Sequence, residues 1–486
     1  MTDLSIREVR DQIGQGKLSA VELCKAALSR IEALSDLNAF LTVTGDLAMT
    51  QAEAIDRRAQ SGQPLPPLAG TTIAIKDNMV IKGVRTTAGS RILNNYLPPY
   101  TGTAVQRLID AGVIVIGKTN CDEFAMGSST ENSAYGVVKN PWDQSRVPGG
   151  SSGGSAVAVA AGMSLAGLGS DTGGSIRQPA SLSGVVGMKP TYGRVSRYGL
   201  IAFGSSLDQI GPFANSVADA AAILAVIAGH DSADSTSSSA PVPDYTAALG
   251  ENIKGLRVGV PREYYGEGLD PQVRGKIEAG IKLFEGMACS IVDISLPHTE
   301  YAVPTYYLVA TAEASANLAR YDGVRYGFRA ESTTTLKDMY SETRDQGFGA
   351  EVKRRVMLGT YALSAGYYDQ YYGQAQKVRA LIESDFRNAF QQCDIIATPA
   401  SPTPAFRIGE KANNPLEMYL SDIYTITLNL AGVPGISIPC GLTSSGLPVG
   451  IQLVSRHFDE ALLFKSAANL ERAIDFRAKP PLKAIG

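Results

Sequence analysis

The sequence predicts an α/β fold built on a largely buried β-sheet, and two observations carry that prediction. Short apolar runs rich in β-branched residues recur at 71–75 (TTIAI), 113–116 (VIVI), 394–398 (DIIAT) and 435–439 (GISIP). Each is too short for a helix and lacks the alternation of a strand with one wet face, as expected where both faces are covered. Between the first two runs lies a helical stretch at 104–111, closed by Gly112, so that strand, helix and strand alternate.

The elements follow in order. Residues 1–65 read as helices. Ser19 and Glu22 have the spacing of a capping box, in which each side chain satisfies a free amide at a helix start. Val21, Cys24, Leu28 and Ile31 then line one face. Prolines at 64, 66 and 67 mark a loop, and residues 66–230 form the core with its strands and an unusual density of Gly and Ser. The run at 156–169 (AVAVAAGMSLAGLG) is too short and too rich in small residues to span a bilayer, and predicts a closely packed buried helix. A polar low-complexity stretch, DSADSTSSSA, places a loop at 231–245. Residues 246–390 read as mainly helical and tyrosine-rich, and 391–486 return to the sheet. No internal repeat is visible, and 1–486 reads as one domain.

The chain has 486 residues, 44% hydrophobic and 19% charged, with a formal net charge of −3. That is globular composition without the basic surplus of a protein that grips nucleic acid by itself. Five scattered cysteines with no CxxC pair argue against a disulfide framework or zinc site and suit a reducing cytoplasm. The first residues, MTDLSIREVRDQ, lack an apolar signal core, and no membrane association is expected.

Two formal motif matches mislead. Residues 112–119 (GVIVIGKT) fit the phosphate-loop pattern, but the four middle residues are themselves a strand and cannot wrap amides round a phosphate. Residues 149–153 (GGSSG) fit the nucleophile elbow, yet the preceding stretch reads as loop and the three histidines, His230, His298 and His457, read as surface residues. A histidine-based triad is thus poorly supported.

Two serine clusters remain, GGSSGGS at 149–155 and DTGGSIRQP at 171–179. Both adjoin apolar segments. Consecutive glycines let several amides converge on one point, which beside a serine suits the oxyanion of acyl transfer. A serine needs a base, and a desolvated lysine can serve. Lys76, at the end of the first apolar strand, is the candidate.

Together these residues resemble the amidase signature family, whose marks are a strand-end Lys-Asp, a GGSSGGS segment and a DxGGSxRxP segment. All three are present, at 75–77, 149–155 and 171–179, without departure at a motif position. Stretches at 117–136, 187–200 and 432–441 are similar to the branch of the family that serves tRNA-dependent amidotransferases, and the likeness spans essentially the whole chain. The resemblance implies an amidase signature fold, a central mixed sheet covered by helices on both faces. It also implies that Ser175 is the nucleophile, that Ser151 is a bridge reached through a cis peptide, and that Lys76 is the base. The amides of Thr172, Gly173, Gly174 and Ser175 match the oxyanion hole. Arg355 and Asp422 match a clamp for the carboxylate and ammonium of glutamine, with Tyr306 nearby and Arg354 competing with Arg355.

The function so implied is a glutaminase that supplies ammonia for amidating Glu-tRNA(Gln), with Asp-tRNA(Asn) as a second substrate that the family often serves. It implies a heterotrimer with two further subunits, B and C, in which B holds the mischarged tRNA and uses ATP and Mg²⁺. This chain would itself hold no cofactor or metal. A stand-alone amidase for small carboxamides is the alternative. A third reading is a non-catalytic assembly role, against which the intact Lys and both serines speak.

Overall fold

The computed structural model describes residues 4–331 and 333–482. Eleven strands join one sheet: β1 Phe40–Val43, β2 Thr72–Lys76, β3 Ile114–Thr119, β4 Ala166–Asp171, β5 Val186–Lys189, β6 Gln209–Ala214, β7 Arg257–Pro261, β8 Ser290–Ile294, β9 Ile395–Pro399, β10 Gly435–Leu442 and β11 Pro448–Val454. Their order is β1-β3-β2-β4-β6-β5-β10-β11-β9-β7-β8. Pairings of β2 with β3 and β4, and of β7 with β8 and β9, are parallel. The others are antiparallel, so the sheet is mixed.

Helices cover both faces, and the strands show why. Successive side chains of a strand point to opposite sides. Ile73, Ile75, Val113 and Val115 join one core with the helices Thr103–Asp110 and Val217–Ile227. Ala74, Ile114 and Ile116 join the other, with Ala20–Ala33, Gly45–Gln60 and part of Gly153–Ala160. Both faces of β2 and β3 are dry, which is why their sequences run apolar without a break.

The structure corrects several expectations. Residues 156–169 are not one helix. The helix Gly153–Ala160 stops, Gly162 turns the chain with φ of 67°, and the remainder enters β4. The N-terminal helices enclose a strand, β1, that pairs with β3. Only half of the Ser19 capping box forms: Ser19 Oγ accepts from the Glu22 amide (3.3 Å), while Asp56 takes the Ala20 and Val21 amides. The complete box is at Ser5 and Glu8. Residues 246–390 contain β7 and β8 besides their helices. The phosphate-loop match fails as expected, since β3 runs through Thr119 with Lys118 buried on Asp77 at 2.9 Å.

Lys76 is the last residue of β2 and Asp171 the last of β4, and the two strands are parallel neighbours. Their carboxyl ends therefore open at the same edge of the sheet, where α/β folds place their sites.

Candidate active site

Lys76 is wholly buried. Its Nζ donates to Ser151 Oγ (2.8 Å) and Ser170 Oγ (2.9 Å). The neighbouring carboxylate is committed elsewhere: Asp77 accepts from Lys118 (2.9 Å) and from the amide and hydroxyl of Thr87 (2.8 and 2.6 Å). Burial pushes the Lys76 ammonium down from its ordinary 10.5 to about 8, although Asp122, Asp171 and Asp208 pull the other way. A lysine so placed can be neutral, hence a base, near neutral pH.

The Gly150–Ser151 peptide is cis. Gln178 holds the loop, accepting from the Gly150 amide (3.0 Å) and donating to Ser128 O (2.8 Å). Ser152 stitches the two serine clusters together: its amide donates to Ser175 O (3.2 Å) and its hydroxyl to Ser170 O (3.0 Å). Ser175, 8% exposed, is the most open of the three predicted residues. Its Oγ has no hydrogen-bond partner among the described residues, so the Lys76–Ser151 link is made in the free protein and the Ser151–Ser175 link is not. No histidine bonds to either serine. His230 is exposed, His298 pairs with Asp385 (2.9 Å) and His457 meets Ala431 O (2.9 Å).

The loop after β4 is built round a buried ion pair. Arg177 donates from Nε and Nη2 to both oxygens of Asp171 (3.1 and 3.0 Å), and Asn429 adds a third donor (2.9 Å). Burial alone would raise the Asp171 carboxyl, but Arg177 overrides it and holds it down at about 2. Asp171 also takes the amides of Gly174 (2.8 Å) and Ile176 (3.1 Å). This alters the expected oxyanion set. The Gly174 amide is already satisfied, whereas those of Thr172, Gly173 and Ser175 have no acceptor among the described residues. Gly174 has φ of 135°, a value that excludes a side chain, and a Cβ there would collide with Thr425.

The clamp candidates converge on the same loop. Tyr306 is buried with its ring against Gly173, where an added Cβ would lie 2.7 Å from its hydroxyl. Thr425 Oγ1 donates to Gly173 O (2.7 Å) and to Asp422 O (3.0 Å). Asp422 Oδ2 accepts from Ser128, while its buried Oδ1 has no hydrogen-bond partner among the described residues. Burial raises this carboxyl to about 7. Arg355 is buried, bonds Glu351 through Nε (2.7 Å) and lies among the rings of Phe203, Tyr307 and Tyr419. Its two terminal nitrogens have no hydrogen-bond acceptor among the described residues. Arg354, by contrast, leaves 46% of its side chain exposed. Arg355 is thus the inward-facing arginine of the two.

Sequence reasoning missed Ser170, Gln178, Ser128, Thr425 and Glu351. Ser128 and Gln178 sit within the quoted motif segments, which is the one signal that pointed to them.

The amidase family profile matches residues 22–464. The chain belongs to the amidase family. Among curated amidase relatives, the A subunit of a glutamyl-tRNA(Gln) amidotransferase from Koribacter versatilis is 58% identical and covers 97% of this chain and 98% of its own. One of the same description from Acidobacterium capsulatum is 59% identical over 96% and 98%. The crystal structure of the glutamyl-tRNA(Gln) amidotransferase A subunit of Thermotoga maritima superposes with a TM-score of 0.82 at 42% identity, covering 99% of this chain and 98% of that one. No helix among the described residues is long and apolar enough to cross a membrane.

Proposed function

We propose that this chain hydrolyses glutamine to glutamate and ammonia, as the ammonia-producing subunit of a multi-subunit tRNA amidotransferase. The observation that carries the chemistry is the 2.8 Å contact of buried Lys76 Nζ with Ser151 Oγ. Neutral Lys76 accepts the Ser151 proton while Ser151 Oγ accepts that of Ser175. Catalytic hydrogen bonds left open in a free enzyme often close only with substrate bound, and the Ser151–Ser175 link is of that kind. Ser175 Oγ then attacks the carboxamide carbon. The amides of Thr172, Gly173 and Ser175 hold the oxyanion. The proton returns through Ser151 to the departing nitrogen, which leaves as ammonia. Water, deprotonated along the same relay, hydrolyses the acyl-Ser175 ester to glutamate.

The free Oδ1 of Asp422 and the free fork of Arg355 suit a ligand with an ammonium and a carboxylate on one carbon, and so favour glutamine over an apolar amide. Relatives of near 60% identity named as A subunits support the wider role: one amidase domain over 1–486, joined in the cytoplasm to two further subunits, B and C. Of these, B holds Glu-tRNA(Gln), uses ATP and Mg²⁺ and consumes the ammonia. In the assembled enzyme, Ser175→Ala is expected to lower glutamine-dependent amidation by about 10³-fold or more, while amidation from ammonium salt stays within about twofold. Equal loss of both would overturn the proposal.

A further inference from the structure

We infer that Asp208 is a positioning residue that ties the oxyanion loop to the loop covering Arg355, so that chemistry and substrate binding depend on one carboxylate. The inference deepens the glutaminase reading and rests on it.

Asp208 directly precedes β6 and is buried between the two halves of the site. Its Oδ1 accepts from Thr172 Oγ1 (2.6 Å) and the Gly204 amide (3.1 Å), and its Oδ2 from the Phe203 amide (2.9 Å). Thr172 bears one of the three amides left free for an oxyanion. Phe203 places its ring 5.6 Å from the guanidinium carbon of Arg355. The far side of the 203–208 loop is pinned by the helix Ala302–Asn317, which also carries Tyr306. Asn317 donates to Phe203 O (3.0 Å) and Ser205 Oγ (2.8 Å), and Glu313 accepts from the Ser206 amide (2.8 Å). Asp208 therefore gives this loop its hydrogen-bonded link to Thr172.

An ionised carboxylate accepts on both oxygens at once and donates from neither, which matches three donors. An asparagine would set an NH₂ group against either the Phe203 amide or the Gly204 amide, neither of which can accept, so the 203–208 loop must move. A misplacement of about 1 Å at a site can cost about 10²-fold in turnover.

The test compares variants of the assembled enzyme by kcat and KM for glutamine and by the inhibition constant of the product, glutamate. Thr172→Val should chiefly lower kcat, and Phe203→Leu should chiefly raise KM and the glutamate constant. Asp208→Asn should do both, by about tenfold or more each, and adding Thr172→Val to it should cost little further kcat. Fully additive losses in kcat, or kinetics per folded site equal to wild type with only less folded protein, would overturn the inference. Arg355→Ala separates it from the reading beneath. If Arg355→Ala leaves the glutamate constant unchanged, the clamp itself is wrong. If Arg355→Ala weakens glutamate and Asp208→Asn does not, only the role of Asp208 falls. Should Asp208→Asn fail to fold, the double-mutant cycle of Thr172→Val and Phe203→Leu decides: non-additive losses support the link and additive ones overturn it.

Discussion

The end of β2 with the serine-bearing loops after β3 and β4, and the helical side that carries Tyr306, Arg355 and Asp422, bury charge to similar depth but satisfy it differently. On the serine side every buried carboxylate is answered from within. Asp77 has Lys118 and Thr87, and Asp171 has Arg177, Asn429 and two amides. On the helical side, among the described residues, Asp422 Oδ1 has no hydrogen-bond partner and Arg355 hydrogen-bonds only through its Nε, to Glu351. The carboxylates of the first side are satisfied before substrate arrives, which fixes the loop that holds the Ser175 hydroxyl and the three open amides, as electrostatic preorganisation requires. The second is left unfinished, and a ligand bearing both charges completes it. An unpaired buried polar group is costly, so the binding of such a ligand is favoured by what the free protein leaves unsatisfied.

This contrast can be broken by making the same change on both sides. Arg177→Met strands the Asp171 carboxylate and should cost about 3–5 kcal/mol of stability, read from the denaturation midpoint. Arg355→Met leaves Glu351 with Arg354 and Tyr419. It should fold near normally while KM for glutamine rises about tenfold or more. Equal destabilisation by both would erase the distinction.

A smaller effect is expected from pH, and its sign is the same on both sides. The base must be neutral, and Lys76 loses its proton as pH rises through about 8, so kcat should climb through that range. The ammonium partner must be ionised, and Asp422 becomes a carboxylate as pH rises through about 7, so KM should fall through that lower range. Below each value the effect approaches about tenfold per pH unit. A kcat flat between about pH 6.5 and 8.5 would remove Lys76 as the base. The smallest effect is for Arg354→Ala, whose side chain is partly in solvent. Stability should change by about 0.5 kcal/mol at most, with KM unchanged. A KM rise matching that of Arg355→Met would reverse the assignment of the inward arginine.

Much of this was legible in order along the chain. The unbroken apolar runs of β2 and β3 foretold a sheet dry on both faces. Position alone makes Lys76 a candidate base at a strand end that reaches solvent, and its complete burial comes from packing, whereas the two glycine-serine clusters foretold amide-rich loops. Where local pattern failed, packing had overridden it. β6 reads QIGPFA, with a Gly and a Pro that argue against a strand, yet it pairs along its whole length with β4. The small apolar residues of 156–169 fit helix and strand alike, and the divide between them follows from a turn at Gly162 and a place beside β2 and β6.

The sequence by itself determined the fold class, the dry strands and the chemistry-bearing residue types, because backbone preference and burial pattern are encoded within a few neighbours. Tertiary structure alone decided which groups meet. Ser128 reaches Asp422 across 294 residues, and Arg177 reaches Asn429 across 252. It also decided that Asp171, not an incoming oxyanion, claims the Gly174 amide. Such meetings depend on how distant strands and helices stack round one sheet edge, and no local periodicity records that.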